Sequence, residues 1–189
     1  VIGFQGAVSE HVSAMERALA GRGSVVEVRR SGVVPDCDGL VLPGGESTTI
    51  SRHLDRTGTG EEIKHAAGSG VPIMATCAGL VIISSEVERE TRFEPLGLLD
   101  VKVKRNAFGS QRESFEADID VAGFQSPYHA VFIRAPAITD RSDRVEVLAK
   151  VDGLTVAVRE ENLIGLAFHP ELTTDLRFHD IFLDLVREG

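Results

Sequence analysis

Val71-Pro72-Ile73-Met74-Ala75-Thr76-Cys77-Ala78-Gly79-Leu80-Val81-Ile82-Ile83 sets a cysteine in a frame of small residues between two apolar runs. A short apolar run, a turn and a second apolar run read as a buried strand passing into a helix. Cys77 stands at the junction, so it is expected on a tight strand-to-helix elbow. Such an elbow exposes the sulfur and turns the first amides of the helix toward it, and the amides and the helix dipole both favour a thiolate. Ala75 and Ala78 leave the room a sharp turn needs, and Gly79 tolerates a close approach of backbone or substrate. A strand feeding a helix is also the repeating unit of a parallel sheet with crossover helices.

The first half of the chain repeats that unit. Residues 1–5 read as a strand, and Val8, Val12, Met15 and Leu19 then mark one face of a helix that Gly21 and Gly23 stop. Strands are expected over 24–29, 38–42 and 71–75, and helices over 47–56 and 61–67. From Leu98 the rhythm changes to short strands over 98–104, 113–119, 129–134, 145–151, 154–159 and 162–168. Asp152-Gly153 is a hairpin signal, and Glu160-Glu161-Asn162 makes a second short connection. A last helix is amphipathic through Phe178, Ile181, Phe182, Leu185 and Val186, with Thr173, Thr174 and Asp175 available at its start. The pattern predicts an α/β fold with an open, mostly parallel central sheet, flanking helices and extra antiparallel strands in the C-terminal half. Residues 1–189 are expected to form one domain.

Composition narrows the function. The chain has 189 residues, 42% of them apolar, enough for a sizeable core. No apolar run approaches the ~18 residues of a membrane span, and no signal-peptide pattern opens the chain. Val1 stands in what reads as mid-strand, so a residue or two is expected before it. The net charge is −9 with scattered basic residues, which leaves no basic stripe to displace counterions from a nucleic acid. Cys37 and Cys77 are too few for a disulfide framework, and a reducing, cytoplasmic setting suits a working thiolate. Cys37 lies in Pro35-Asp36-Cys37-Asp38, where acidic neighbours raise a thiol pKa, and is read as structural. The six histidines include no H-E-x-x-H or other ligand spacing, so no metal is expected. His11, His53, His65 and His179 fall in helix-like segments and read as surface or core-edge residues.

A partner for Cys77 comes from Phe168-His169-Pro170-Glu171. Proline disfavours the α conformation in the residue before it, so His169 is expected to be extended at the end of strand 162–168. Residues i and i+2 of an extended chain face the same way, which brings the Glu171 carboxylate to the His169 ring. A carboxylate on one ring nitrogen fixes the tautomer and leaves the other for the thiol. Two further segments add polar groups. Pro43-Gly44-Gly45-Glu46-Ser47-Thr48-Thr49 places a glycine pair at the carboxyl end of a strand, where ligands bind in open α/β sheets. Its backbone amides can turn toward a developing oxyanion. Arg105-Asn106-Ala107-Phe108-Gly109-Ser110-Gln111 concentrates donors, acceptors and an aromatic. Arg134 ends an apolar strand, where a cation needs an anion, either substrate or a structural carboxylate.

With these segments assembled, the chain resembles the class I (triad) glutamine amidotransferases. Within them it is similar to the glutaminase-subunit branch of the two-protein pyridoxal 5'-phosphate synthases. The resemblance covers essentially the whole chain. It rests on Gly3-Phe4-Gln5-Gly6-Ala7 with Glu10-His11, on Leu42 to Thr49, on Thr76-Cys77-Ala78-Gly79, on Arg105 to Gln111 and on His169-Pro170-Glu171-Leu172-Thr173. Ala75 stands where the superfamily usually has Gly, and Ser110 where this branch commonly has Arg. The resemblance implies a flavodoxin-like three-layer fold and hydrolysis of L-glutamine to glutamate and ammonia, with no cofactor. It implies Cys77, His169 and Glu171 as the catalytic triad and the amides of Gly45 and Ala78 as oxyanion donors. Gly45, Glu46, Ser47, Arg105, Ile133 and Arg134 are implied as L-glutamine contacts. It also implies a (β/α)8-barrel synthase partner in a large hetero-oligomer. Another amidotransferase subunit, a free-standing Cys-His-Glu hydrolase or peptidase, and a non-catalytic regulatory subunit are the alternatives at this point.

Overall fold

The computed structural model describes residues 1–109 and 113–188. Strand Ile73–Thr76 (β2) is buried along its whole length, as expected of a strand covered on both faces. It pairs in parallel with Leu40–Leu42 (β1) on one side and Leu163–Leu166 (β10) on the other. From β10 the sheet continues in antiparallel pairings through Leu154–Glu160 (β9), Ala137–Arg141 (β7) and Leu99–Lys104 (β4). Ser84–Val87 (β3) closes it in parallel beside β4, and Glu146–Val151 (β8) pairs with β9. Ser114–Ile119 (β5) and Tyr128–Ile133 (β6) form a separate two-stranded sheet. The result is an α/β fold whose parallel region holds the candidate site and whose antiparallel strands extend it.

Helices Val8–Leu19 (α1), Ser47–Thr57 (α2), Thr59–Gly68 (α3), Ala78–Ile83 (α4) and Arg177–Glu188 (α5) pack around the sheet. Every residue of α4 is buried, consistent with its apolar sequence on all sides. In α1 the face that goes inside is His11, Ala14, Met15 and Ala18. Val8, Val12 and Leu19, chosen from the periodicity, lie at its half-buried margin. The stripe is rotated because a histidine occupies the centre of the buried face, which a count of apolar residues passes over.

Several expected elements differ. The strands over 1–5 and 24–29 reduce to a single parallel bridge, Ile2 with Val28. The Ile2 amide also donates to Val41 O at 2.9 Å, so this segment does extend the sheet beyond β1. It leaves the sheet early because Gly6, at φ 105°, carries the backbone against Gly44 O, where a Cβ would collide. β3 and β7 were not expected. β3 follows α4 without a spacer, and its sequence, Ser84-Ser85-Glu86-Val87, is mostly polar and carries no apolar strand signal. Three of five β7 residues are exposed, so its sequence carries little apolar signal. The Asp152-Gly153 turn between β8 and β9 has φ 50° and 79°, the left-handed pair of a two-residue hairpin.

Candidate active site

The carboxyl ends of β1, β2 and β10 lie side by side, with Leu42 beside Ala75 and Thr76 beside Leu166. Each strand delivers one part of the site as it ends: Gly44 and Gly45 after β1, Cys77 after β2, His169 after β10. Cys77 adopts φ 48° and ψ −104°, a region that costs an L-residue about 1–3 kcal/mol. Two backbone hydrogen bonds hold it there. Its amide donates to Leu166 O at 2.8 Å, and its carbonyl accepts from the Val81 amide at 3.2 Å as α4 begins. Gly79 serves packing, since a Cβ there would collide with Leu42 O.

His169 is anchored by its amide to Val131 O at 2.9 Å. Phe168 before it is fully buried against the edges or faces of Phe132, Tyr128 and Phe178, with ring centroids 5.4 to 5.7 Å away. These aromatic contacts fix the chain that presents the imidazole. Glu171 stands on a short 3-10 turn, Pro170–Leu172, rather than on the extended chain that the spacing suggested. Pro170 takes the first position of the turn, where its missing N–H costs nothing. The carboxylate still reaches the ring, with Nδ1 of His169 2.7 Å from Oε1 of Glu171.

That contact turns Nε2 toward the nucleophile. Gly44 has both groups against it: a Cβ there would overlap His169 Cε1 and lie 3.3 Å from Cys77 Cβ. The thiol itself rests on Ile133 O at 3.8 Å. Burial acts to lower the imidazole pKa, but Cys77 and Glu171 outweigh it and raise it above the ordinary histidine value. Glu171 shows the reverse. Burial pushes its pKa up, and His169 and His11 more than reverse that.

A cavity of about 280 Å³ opens over these groups, lined by Gly45, Glu46, Ser47, Arg105, Ile133 and Arg134 as well as the nucleophile and the base. The six residues that the resemblance implies as L-glutamine contacts therefore meet at one place. Three of them are engaged differently from expectation. Glu46 caps α2, its carboxylate accepting from the Thr49 amide at 2.7 Å and the Thr48 amide at 3.2 Å. Arg105 donates to Glu90 at 2.7 Å and lies 3.5 Å from Glu46. Arg134 is exposed one residue past β6 at φ 43°, so the cost of burying a cation does not arise. Ser110 and Gln111 lie outside the described residues.

Three groups were missed or undervalued. Gln5 accepts the Glu46 amide at 2.7 Å and lines the cavity. Glu90, with its side chain 5% exposed, holds Arg105; Arg92 and Arg105 keep its carboxyl well below the usual range in spite of burial. His11, read as a core-edge residue, is fully buried behind Glu171. Tertiary pairs of this kind leave no local spacing to read.

The SNO glutamine amidotransferase family matches residues 1–188. A curated relative from Methanothrix thermoacetophila, "Pyridoxal 5'-phosphate synthase subunit PdxT", is 59% identical over 184 residues, covering 97% of each chain. One of the same name from Halorubrum lacusprofundi is 55% identical, covering 96% of this chain and 93% of its own. A solved structure titled "Crystal structure of glutamine amidotransferase" superposes with a TM-score of 0.91 at 38% identity, covering 99% of both chains. A match of this extent and identity covers the strands and loops that bring Cys77, His169 and the glycine loop together, and the chain belongs to the SNO glutamine amidotransferase family.

Proposed function

We propose that this chain, as one glutaminase domain, hydrolyses L-glutamine to L-glutamate and ammonia and passes the ammonia to a synthase subunit that builds pyridoxal 5'-phosphate. The observation that carries the chemistry is the meeting of Cys77, the His169–Glu171 pair and the Gly44-Gly45 loop at one cavity. The names of the relatives support the destination of the ammonia. Cys77 Sγ attacks the side-chain amide carbon, and His169 gives a proton to the departing ammonia. His169 then takes a proton from the water that attacks the thioester, releasing glutamate and the thiol. The amides of Gly45 and Ala78 receive the oxyanion. Gly45, Glu46, Ser47, Arg105, Ile133 and Arg134 hold the amino acid, and the chemistry needs no metal or cofactor.

The glycine loop is also the natural point of control. Gly44 O accepts from the Ala7 amide at 3.2 Å, and the Glu46 amide is held by Gln5. Reorienting the Gly44–Gly45 peptide breaks the first of these bonds, a cost of about 1 kcal/mol. A docked (β/α)8-barrel synthase subunit, within a large hetero-oligomer, would select the conformer whose Gly45 amide points at the substrate. Steady-state ammonia release from glutamine is therefore expected to rise at least about tenfold on adding the synthase subunit, equivalent to roughly 1.4 kcal/mol. Equal release with and without it would leave a constitutive glutaminase, and no release in either state would overturn the activity.

Arg105 is expected to serve substrate more than stability. In Arg105→Ala the carboxylate of Glu90 keeps Arg92, 2.7 Å away, so no buried charge is stranded. We expect kcat/KM for glutamine to fall about tenfold while the melting temperature moves by no more than a few degrees. A large drop in melting temperature with unchanged kinetics would make Arg105 a structural ion pair.

A further inference from the structure

We propose that His11 is a positioning residue for glutamine hydrolysis, clamping the second carboxylate oxygen of Glu171 and tying it to the strand that carries the nucleophile. The inference rests on the glutaminase reading and adds to it a residue outside the triad. His11 lies on the buried face of α1 with no exposure. Its Nε2 is hydrogen-bonded with Thr76 Oγ1 at 3.0 Å and faces Glu171 Oε2 at 3.3 Å, an oxygen with no hydrogen-bond partner among the described residues. An imidazole lone pair would be repelled by a carboxylate oxygen at this distance, so Nε2 carries the proton, and the hydrogen bond it makes is with Thr76 Oγ1. Oε1 of Glu171 already accepts from His169. The carboxylate thus has an imidazole beside each oxygen, one hydrogen-bonded at 2.7 Å and one facing it at 3.3 Å, and rotation about its terminal bond would disturb both contacts. Thr76 precedes Cys77 in the chain, so the same ring fixes Glu171 relative to the elbow.

The clamp works because His11 is neutral. A cation there would compete with the His169 imidazolium for the charge of Glu171. Burial holds the His11 pKa down to about 4, against the pull of Glu171. The other groups acting on it are His169, the chain's amino group and Glu10. His179, on the adjacent α5, is equally buried and is also pushed down, by burial first, to about 4. Neither histidine therefore brings positive charge to the back of the triad above about pH 5.

The test compares His11→Leu with His11→Gln, whose amide nitrogen falls near the place of Nε2 and keeps the donor. Ammonia release is measured in the presence of the synthase subunit. His11→Leu is expected to lower kcat about tenfold with KM unchanged, and to move the alkaline limb of the rate to lower pH, since His169 loses an aligned carboxylate. His11→Gln should recover most of both. If His11→Leu does not fold, His11→Asn, whose amide stops short of Glu171, supplies the same loss. A second readout is independent of turnover: the low-field proton resonance of His169 Nδ1–H, identified by its loss in Glu171→Gln, should shift or broaden in His11→Leu and persist in His11→Gln. That resonance decides the proposal even if the wild type releases no ammonia, an outcome that would overturn the glutaminase reading instead. Unchanged kcat, alkaline limb and resonance in a folded His11→Leu would overturn the clamp, as would equal impairment of both variants in step with their loss of stability.

Discussion

Cys77→Ala is expected to lower ammonia release by about 10⁴-fold or more, because the thioester forms on its sulfur and no other thiol lines the cavity among the described residues. The protein should remain folded. The swap removes one sulfur, and the elbow is held by backbone bonds to Leu166 and Val81 that alanine keeps. A glutamine-like electrophile should label the wild type once per chain, at Cys77. Cys37 should be spared: burial, and then Asp36 and Asp38, raise its thiol pKa and leave it protonated near neutral pH. Mass spectrometry of the labelled peptides reads the result. Label at Cys37, with activity kept in Cys77→Ala, would sink the mechanism.

His169→Asn should cost about 10³-fold or more, since it deletes the group that moves the proton in both half-reactions. Glu171→Gln is expected to be milder, about 10²-fold, because the base remains and only its orientation and charge partner change. Its pH profile should be diagnostic. Glu171 contributes to raising the His169 pKa, so removing the carboxylate charge lets that pKa fall. The imidazolium then loses its proton at lower pH, and the alkaline limb of kcat/KM should move down. A silent Glu171→Gln beside a mild His169→Asn would make this pair structural.

What could be read from the sequence was what is local in it. The Cys77 elbow, the His169-Pro170-Glu171 run and the Gly44-Gly45 turn each carry their chemistry within a few residues, and the fold brings them together as expected. The alternation of strands and helices anticipated β1 and β2, because crossover units leave a period that can be counted, whereas their parallel neighbour β10 was read only as one of a run of short strands. β7 escaped because it is short and its outer residues face water. Gln5, Glu90 and His11 act across the fold on partners distant in sequence, so their neighbours in the chain say nothing of their roles. The turn at Pro170–Leu172 shows the converse: the contact was anticipated, but the backbone that makes it was not.

The place of β10 in the sheet bears on how the enzyme comes into being. β10, the last strand among the described residues, is inserted between β2 and β9, with partners on both sides. The amide of Cys77 is fastened to it through Leu166 O. A nascent chain emerging from the ribosome can form β1, β2 and their helices, but it must leave the middle of its sheet open until residues 163–166 have been made. Pairings that span so much sequence form slowly and expose strand edges in the meantime. Maturation of the nucleophile therefore waits for β10 and the residues just after it, and a chain terminated before residue 163 would carry the thiol without its base.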